Sequence, residues 1–361
     1  MDTIGRNRAM SRNKKTAITT TRREAHDAGP PVAVDLFAGA GGLTLGLRRA
    51  GFNVRGAVEN DPLAVETYRR NHRRTFVWQS DIRDLPAGAV MKEIGLRRGQ
   101  LDLLAGCPPC QGFSSVRTWN GGRRVRDPRN ALVGEFGRFA EALLPRAVML
   151  ENVPRLARER RLQQLVGLLR ELGYKVRFGV LDARDYAVAQ RRQRFILIGA
   201  RDRDVDFAPP ARGRLSVRKV IGSLRPAGSS GDPLHDHGEQ RSDAVASRIA
   251  LIPRDGGSRA DLGPRAQLDC HRECDGFHDI YGRLAWDDVA PTITGGCINP
   301  SKGRFLHPEE NRALTLREAA LLQGFPSHYW FSLRKGKYAA AQLIGNALPP
   351  PFVARHARVL R

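Results

Sequence analysis

Cys110 sits in Gly106-Cys107-Pro108-Pro109-Cys110-Gln111-Gly112-Phe113-Ser114, a proline- and glycine-rich loop following the apolar run Leu101–Ala105. A thiol on a loop at the end of a buried strand is suited to nucleophilic attack once it ionises. Cys107 stands three residues earlier, and a C-x-x-C pair admits two other chemistries. A structural zinc site needs two more ligands close by. A redox pair normally opens a helix, which Pro108-Pro109 disfavours. Cys110 is therefore expected as the nucleophile, with Cys107 a small buried side chain beneath the loop. Taken alone, the segment is also compatible with two core cysteines.

A second group of residues suits a nucleoside ligand. Asp35-Leu36-Phe37-Ala38-Gly39-Ala40-Gly41-Gly42 falls where an apolar strand turns into a helix. Glycines there let backbone approach a ligand and expose N–H groups at a helix start. Thr44 stands where a dinucleotide fingerprint needs its third glycine, and a lone glycine turn is more often structural. Two acids shift the balance. Glu59 closes the second apolar run, where a carboxylate accepts from ribose hydroxyls. Asp81 closes the third, where one can accept from an adenine amino group. An adenosine ligand without a pyrophosphate is the better reading, and S-adenosylmethionine fits it.

These residues need a frame. From Val32 the pattern alternates strand and helix. Val32–Phe37, Val54–Glu59, Phe76–Asp81, Leu101–Ala105, Ala147–Leu150 and Phe195–Gly199 read as short buried strands. Leu43–Ala50, Pro62–Asn71, Ala131–Leu144 and Leu162–Leu172 read as amphipathic helices between them. Such alternation predicts an α/β fold, a doubly wound and mostly parallel sheet. After Ala200 the alternation stops, and 201–280 is rich in Pro, Gly, Arg and Asp, as expected of a smaller irregular lobe. Thr315-Leu316-Arg317-Glu318 fits a capping box opening a helix that ends near Gly324 and Pro326. Phe352–Leu360 reads as a closing helix. The expected organisation is a basic disordered tail (1–30), a cofactor-binding catalytic domain (31–200 with 340–361) and a target-recognition lobe with hinge (201–339).

Asp35–Gly42, Pro109-Cys110-Gln111, Glu151-Asn152-Val153 and Gln190-Arg191-Arg192-Gln193-Arg194 occur in that order. Arg317-Glu318 with Leu322-Gln323-Gly324-Phe325-Pro326, and then Gly345-Asn346, follow. Together they resemble the ordered motifs of the bacterial-type DNA (cytosine-5) methyltransferase family. They span about 32 to 356, apart from most of 201–280. Cys107 departs from the small residue, such as Gly, usual at that position.

The resemblance implies methyl transfer from S-adenosylmethionine to C5 of a cytosine within a short sequence of duplex DNA. Cys110 would add to C6, Glu151 would hold N3 and the exocyclic amine, Arg194 would donate to O2, and Arg192 would position a loop or phosphate. Asn152 would hold the loop rather than react. The resemblance puts Phe37, Gly39, Gly41, Glu59, Asp81, Ile82, Pro109 and Asn346 around the cofactor. The base would have to flip out of the duplex. The loop 116–129, with Arg117, Arg123, Arg124, Arg126, Arg129 and a Gly121-Gly122 hinge, would close over DNA. Residues 201–310 would read the sequence, and Thr292 in Ala290-Pro291-Thr292-Ile293-Thr294-Gly295 would support the flipped strand.

Composition is consistent with this. A net charge of +23 and a pI near 11.0 favour a polyanionic partner, although arginine is abundant throughout. Five cysteines and the lack of an apolar leader or spanning run point to a reducing, cytoplasmic setting near the nucleoid, with no membrane. The spacing of Cys270, His271, Cys274 and His278 could hold zinc, but scattered loop residues are the commoner explanation, and no metal is expected. A monomer, with functional pairing to a restriction endonuclease, is the expected state. Two alternatives stay open: an RNA cytosine methyltransferase on the same fold, and a DNA-binding protein without catalysis. An intact Cys110, Glu151 and Arg194 set argues against the second.

Overall fold

The structure, a computed structural model, describes residues 29–109, 132–263, 267 and 279–361. Residues 31–361 form one compact unit. Cys110, the arginines of 116–129 and the Cys270–His278 cluster lie outside the described residues.

Seven strands build one sheet: β1 (Val32–Leu36), β2 (Asn53–Glu59), β3 (Phe76–Gln79), β4 (Leu103–Gly106), β5 (Ala147–Asn152), β6 (Lys175–Asp182) and β7 (Gln193–Ala200). Their order is β3-β2-β1-β4-β5-β7-β6, and only β7 runs antiparallel to its neighbours. The order reverses between β1 and β4, which opens a crevice at the carboxyl ends of the strands. The expected doubly wound, mostly parallel sheet is therefore observed.

β6 was not read from the sequence. It is an edge strand whose Phe178 and Val180 are exposed, so Lys175–Asp182 lacks the apolar continuity of a central strand. The short helix α3 (Ala87–Ile94) also went unread.

Helices α1 (Gly42–Arg49), α2 (Pro62–Asn71), α4 (Leu132–Leu143) and α5 (Arg160–Glu171) match the amphipathic segments. One face of the sheet, with Leu36, Leu104 and Leu150, packs on Phe136, Phe139, Leu165 and Leu169. The other, with Ala105 and Met149, packs on Leu43 and Leu47 of α1 and on Phe352 and Val353 of the closing helix α10 (Pro350–Arg358). The chain thus returns to its first helix to complete the sheet's second layer.

A separate apolar cluster joins helix α6 (Val217–Ile221), the loop residues Trp286 and Ile293, helix α8 (Leu316–Leu322) and helix α9 (Gly336–Asn346). With α7 (Asp243–Leu251), these form the irregular lobe, which among the described residues contributes isolated bridges but no strand. The capping box at α8 is present as expected: Thr315 accepts from the Glu318 N–H, and Glu318 accepts from that of Thr315. Position 340 falls within α9, whose Ala340, Ala341 and Ile344 belong to the lobe's core, whereas Leu348 belongs to the sheet's.

Beneath the β1–α1 turn lies a buried polar chain. Thr44 Oγ1 donates to Asp35 Oδ2 at 2.7 Å, so the Tyr68 hydroxyl, 2.7 Å from Thr44, must donate in turn. Asp35 is fully buried, and burial pushes its carboxyl up to about 7. The proton is thus favoured in the folded state, and stability is lost as pH rises from about 4 through 7. Asp35→Asn should flatten that slope in pH-dependent denaturation, which for one such carboxyl spans roughly 4 kcal/mol.

Gly345 is held where no side chain fits. A Cβ there would stand 2.1 Å from the Thr294 carbonyl carbon and 2.2 Å from Gly295 N, both backbone. Gly345→Ala should destabilise the fold by about 3 kcal/mol in urea melts, because neither backbone can rotate away.

Candidate active site

The residues that follow the carboxyl ends of β1, β2, β3, β4 and β5 line one cleft of about 790 Å³, closed on its far side by the 292–295 loop and the end of α9. The turn after β1 supplies Phe37 and Gly39. Phe37, Gly39 and Gly41 all have positive φ (60°, 53° and 93°), which reverses the chain tightly, and the N–H groups of Ala38 and Gly41 bond to Val58 O and Ala38 O. Open space surrounds a Cβ position at Gly39, so glycine is retained there for its backbone conformation and its clearance toward the cleft.

Glu59 shapes this turn as well as facing the cleft. Its Oε2 accepts from Gly39 N at 2.8 Å, and its Oε1 accepts from Asn60 N and Asp61 N at 2.9 and 2.8 Å. Three of a carboxylate's roughly four acceptor directions are thus filled by backbone, leaving one for a ligand hydroxyl. Asp81 and Ile82 line the cleft beyond β3. Asp81 is gripped by the Arg83 guanidinium, with contacts of 2.9 and 2.6 Å, and this hydrogen bonding lowers its carboxyl to about 2. Pro109 and Asn346 line the cleft too, with Asn346 exposed at the last position of α9.

The turn is braced from behind by residues that sequence reasoning missed. The Tyr329 hydroxyl donates to Ala40 O at 2.6 Å, so it must accept from His72 Nε2, 2.9 Å away. The same Nε2 lies 3.2 Å from Gly41 O. His72 is held neutral, its pKa lowered to about 3 by burial and by Arg48. Nothing in the isolated His72 or Tyr329 segments signals this meeting of α2 with the irregular lobe.

At the other end of the cleft, Glu151 ends β5 with 7% exposure. Arg194 Nε lies 2.8 Å from Glu151 Oε1, although that oxygen has no aligned hydrogen bond among the described residues. Burial raises the Glu151 pKa against the opposing pull of Arg194 and Arg192. Asn152 Nδ2 donates to Pro108 O at 3.0 Å, which fixes the entry to the cysteine loop. Cys107 corrects an expectation. It is half-buried and lines the cleft rather than being fully buried, and burial and the neighbouring Glu151 push its thiol pKa up. β4 ends at Gly106, so residue 107 emerges at the cleft.

Gln190 to Arg194 show a period of two. Gln190 accepts from Ile293 N at 2.8 Å and donates to Gln323. Arg192, 2% exposed, donates to Ile293 O at 2.8 Å, Gly345 O at 2.9 Å and Ala347 O at 3.2 Å. These are the bonds of a positioning residue, and its burial leaves no access to a phosphate. Arg194 alone of the three turns to Glu151. Gln323 seals the same junction by donating to Ile344 O at 3.0 Å. Thr292 lines the cleft while its hydroxyl donates to Arg191 O at 2.8 Å.

The arrangement therefore pairs a nucleoside-sized cleft with a buried acid–guanidinium couple, next to the segment that leads into Cys110. Among the described residues no group of His, Cys, Asp and Glu could hold a metal, and no helix is long and apolar enough to cross a membrane.

Comparison with known proteins supports a methyltransferase assignment. The chain is 36% identical over 333 residues to the Type II methylase M.HgiDII of Herpetosiphon aurantiacus, covering 88% of this chain and 91% of that protein. It is 33% identical to the Type II methyltransferase M1.HphI of Haemophilus parahaemolyticus, covering 88% and 83%. In fold it is similar to the Entamoeba histolytica methyltransferase EhMeth, with a TM-score of 0.64 at 14% identity over 92% of this chain and 98% of that one. The family model for C-5 cytosine-specific DNA methylases matches residues 32–361. A match across nearly the whole chain, on a fold whose cleft gathers the expected side chains, makes this protein a member of the C-5 cytosine-specific DNA methylase family and a DNA cytosine-5 methyltransferase.

Proposed function

We propose that the protein transfers a methyl group from S-adenosylmethionine to C5 of a cytosine within a specific short sequence of duplex DNA, as a restriction-modification methylase. The observation that carries this reading is the single cleft. It has Phe37, Gly39, Glu59, Asp81 and Ile82 at one end and the Glu151–Arg194 pair at the other.

The donor set fits an adenosine that carries no phosphate. Glu59 keeps one acceptor direction for the ribose, Asp81 offers an acceptor for the adenine amine, and Gly39, Pro109 and Asn346 shape the walls, while Gly41 turns toward His72 and Tyr329 behind them. When bound there, S-adenosylmethionine would supply an electrophilic methyl on sulfur. The remaining steps fall to this chain. Cytosine C5 is a weak nucleophile, and addition of the Cys110 thiolate to C6 makes it reactive. Negative charge then develops at N3 and O2. Glu151, whose pKa burial raises, gives a proton to N3, and Arg194 donates to O2. After methyl transfer, a base removes the C5 proton, the Cys110–C6 bond breaks to release the thiolate, and N3 returns its proton to Glu151. Arg192 and Asn152 touch no reacting atom; they hold the segments that present Cys110 and the target base. A base inside the duplex cannot reach this cleft, so flipping precedes chemistry, at a cost of a few kcal/mol.

Incubation with labelled S-adenosylmethionine and mixed-sequence duplex DNA, with tRNA as competitor, followed by sequencing for 5-methylcytosine, tests the reading. Methylation confined to one short sequence and lost in Cys110→Ser is the expected result. Transfer to tRNA in preference to duplex would reject it.

Glu151→Gln keeps the size of the side chain but has no acid proton. It should reduce single-turnover methyl transfer by about 100-fold or more while leaving S-adenosylhomocysteine affinity within about two-fold. An equal loss of both would count against a proton role.

A further inference from the structure

The segment that leaves the active-site strand carries a concentration of charge that the fold does not use. Pro154–Arg158 forms a 3₁₀ turn directly after β5, and α5 begins at Arg160. Four arginines, Arg155, Arg158, Arg160 and Arg161, fall within seven residues of chain, starting four residues after Glu151. Arg155 lies 4.0 Å from Glu159. Arg158, Arg160 and Arg161 are exposed and have no acidic or hydrogen-bonding partner among the described residues.

Their placement also runs against local electrostatics. A helix N-terminus carries partial positive charge, which favours acids and disfavours cations. Several other helices follow that rule: Arg48 and Arg49, Arg69 and Arg70, Arg170, and Arg355 and Arg358 sit in last turns, whereas α9 opens on Lys335 and Lys337, the latter donating to Gly238 O. Arg317, in the first turn of α8, is paired with Asp232. Among the described helices of eight or more residues, α5 alone opens on two unpaired arginines, with no acid in its first turn. The turn is firmly mounted, since Leu156 is fully buried and Leu162, Leu165 and Leu169 anchor the helix in the core beneath the sheet. It is a rigid cationic ledge beside the cleft mouth, and helix N–H groups add to its pull on anions.

We propose that Arg158, Arg160 and Arg161 form a phosphate clamp that grips the backbone of the substrate duplex beside the flipped cytosine. The proposal rests on the reading above that the substrate is duplex DNA. Nearness to Glu151 limits the clamp to phosphates close to the target. A guanidinium suits bidentate contact with phosphate oxygens. Such contacts carry no sequence information and fix register, which a base-flipping enzyme needs before its recognition loops engage. The unfavourable dipole position of Arg160 and Arg161 in the free protein would be relieved once a phosphate neutralises them.

Each phosphate contact contributes about 0.9 to the slope of log K against log salt. Binding of the full-length protein to a fluorescein-labelled mixed-sequence duplex, measured from about 50 to 200 mM salt, reads that slope. The triple variant Arg158→Ala, Arg160→Ala, Arg161→Ala should lower its magnitude by about 2 to 3 and weaken binding about ten-fold or more. A control that removes equal charge, Arg73→Ala, Arg74→Ala, Arg97→Ala, lies at the amino ends of β3 and β4, away from the cleft. It should leave the slope unchanged, and both variants should bind S-adenosylhomocysteine like the parent. An unchanged slope in the first variant, an equal drop in both, or no duplex binding by the parent would overturn the clamp. Failure of the cytosine reading would appear elsewhere, as duplex binding without methyl transfer.

Discussion

The buried guanidinium of Arg192 is the interaction on which the site depends. Three stretches distant in sequence meet at this one side chain: the start of β7, the 293–295 loop of the irregular lobe, and the 345–347 turn that leads back to the sheet. Burial and the neighbouring Arg194 disfavour the charge of Arg192, while three backbone carbonyls accept from it and Glu151 opposes the loss. Two buried glutamines extend the junction. Gln190 links the lobe's loop to Gln323, and Gln323 reaches the carbonyls of Ile344 and Ala347. Gly345 closes it, because only a residue without a side chain lets the two backbones meet.

Because these contacts are short and directional, they convert packing into geometry. Arg194 sits two residues beyond Arg192, at the second position of β7. With Arg192 locked, Arg194 is delivered to Glu151 with little freedom left to lose. On the opposite side of the cleft, Tyr329 and His72 hold the carbonyls of Ala40 and Gly41, so the irregular lobe also braces the cofactor turn. The lobe is therefore part of the catalytic architecture as well as a candidate reader of sequence. Disturbing its core should affect cofactor binding as well as target choice.

Much of the catalytic half was legible in the sequence. β1, β4 and the first four residues of β5 are near-continuous apolar runs, as strands covered on both faces must be, and Glu59 at the end of β2 and Glu151 near the end of β5 stand out. The capping box at Thr315 is a local device that needs no tertiary context, and it formed as read. β6 was not legible because it is an exposed edge with mixed residues, and the place of Cys107 on the cleft wall was not because it depends on where β4 stops. The role of Arg192 lay hidden in a run of similar residues. Alternation along Gln190–Arg194 puts positions 190, 192 and 194 on one face, but it does not say what that face meets.

The sequence by itself determined the alternating fold, the order of the chemical groups and the strand ends that carry them, because those properties follow from local periodicity and chain direction. Only the tertiary structure decided which guanidinium faces the acid and which is spent on carbonyls. It alone decided that Glu59 holds the turn it also lines, and that a tyrosine from the far lobe braces the cofactor loop. Those outcomes depend on contacts between residues tens to hundreds of positions apart. Such contacts are fixed by how layers pack rather than by any pattern along the chain.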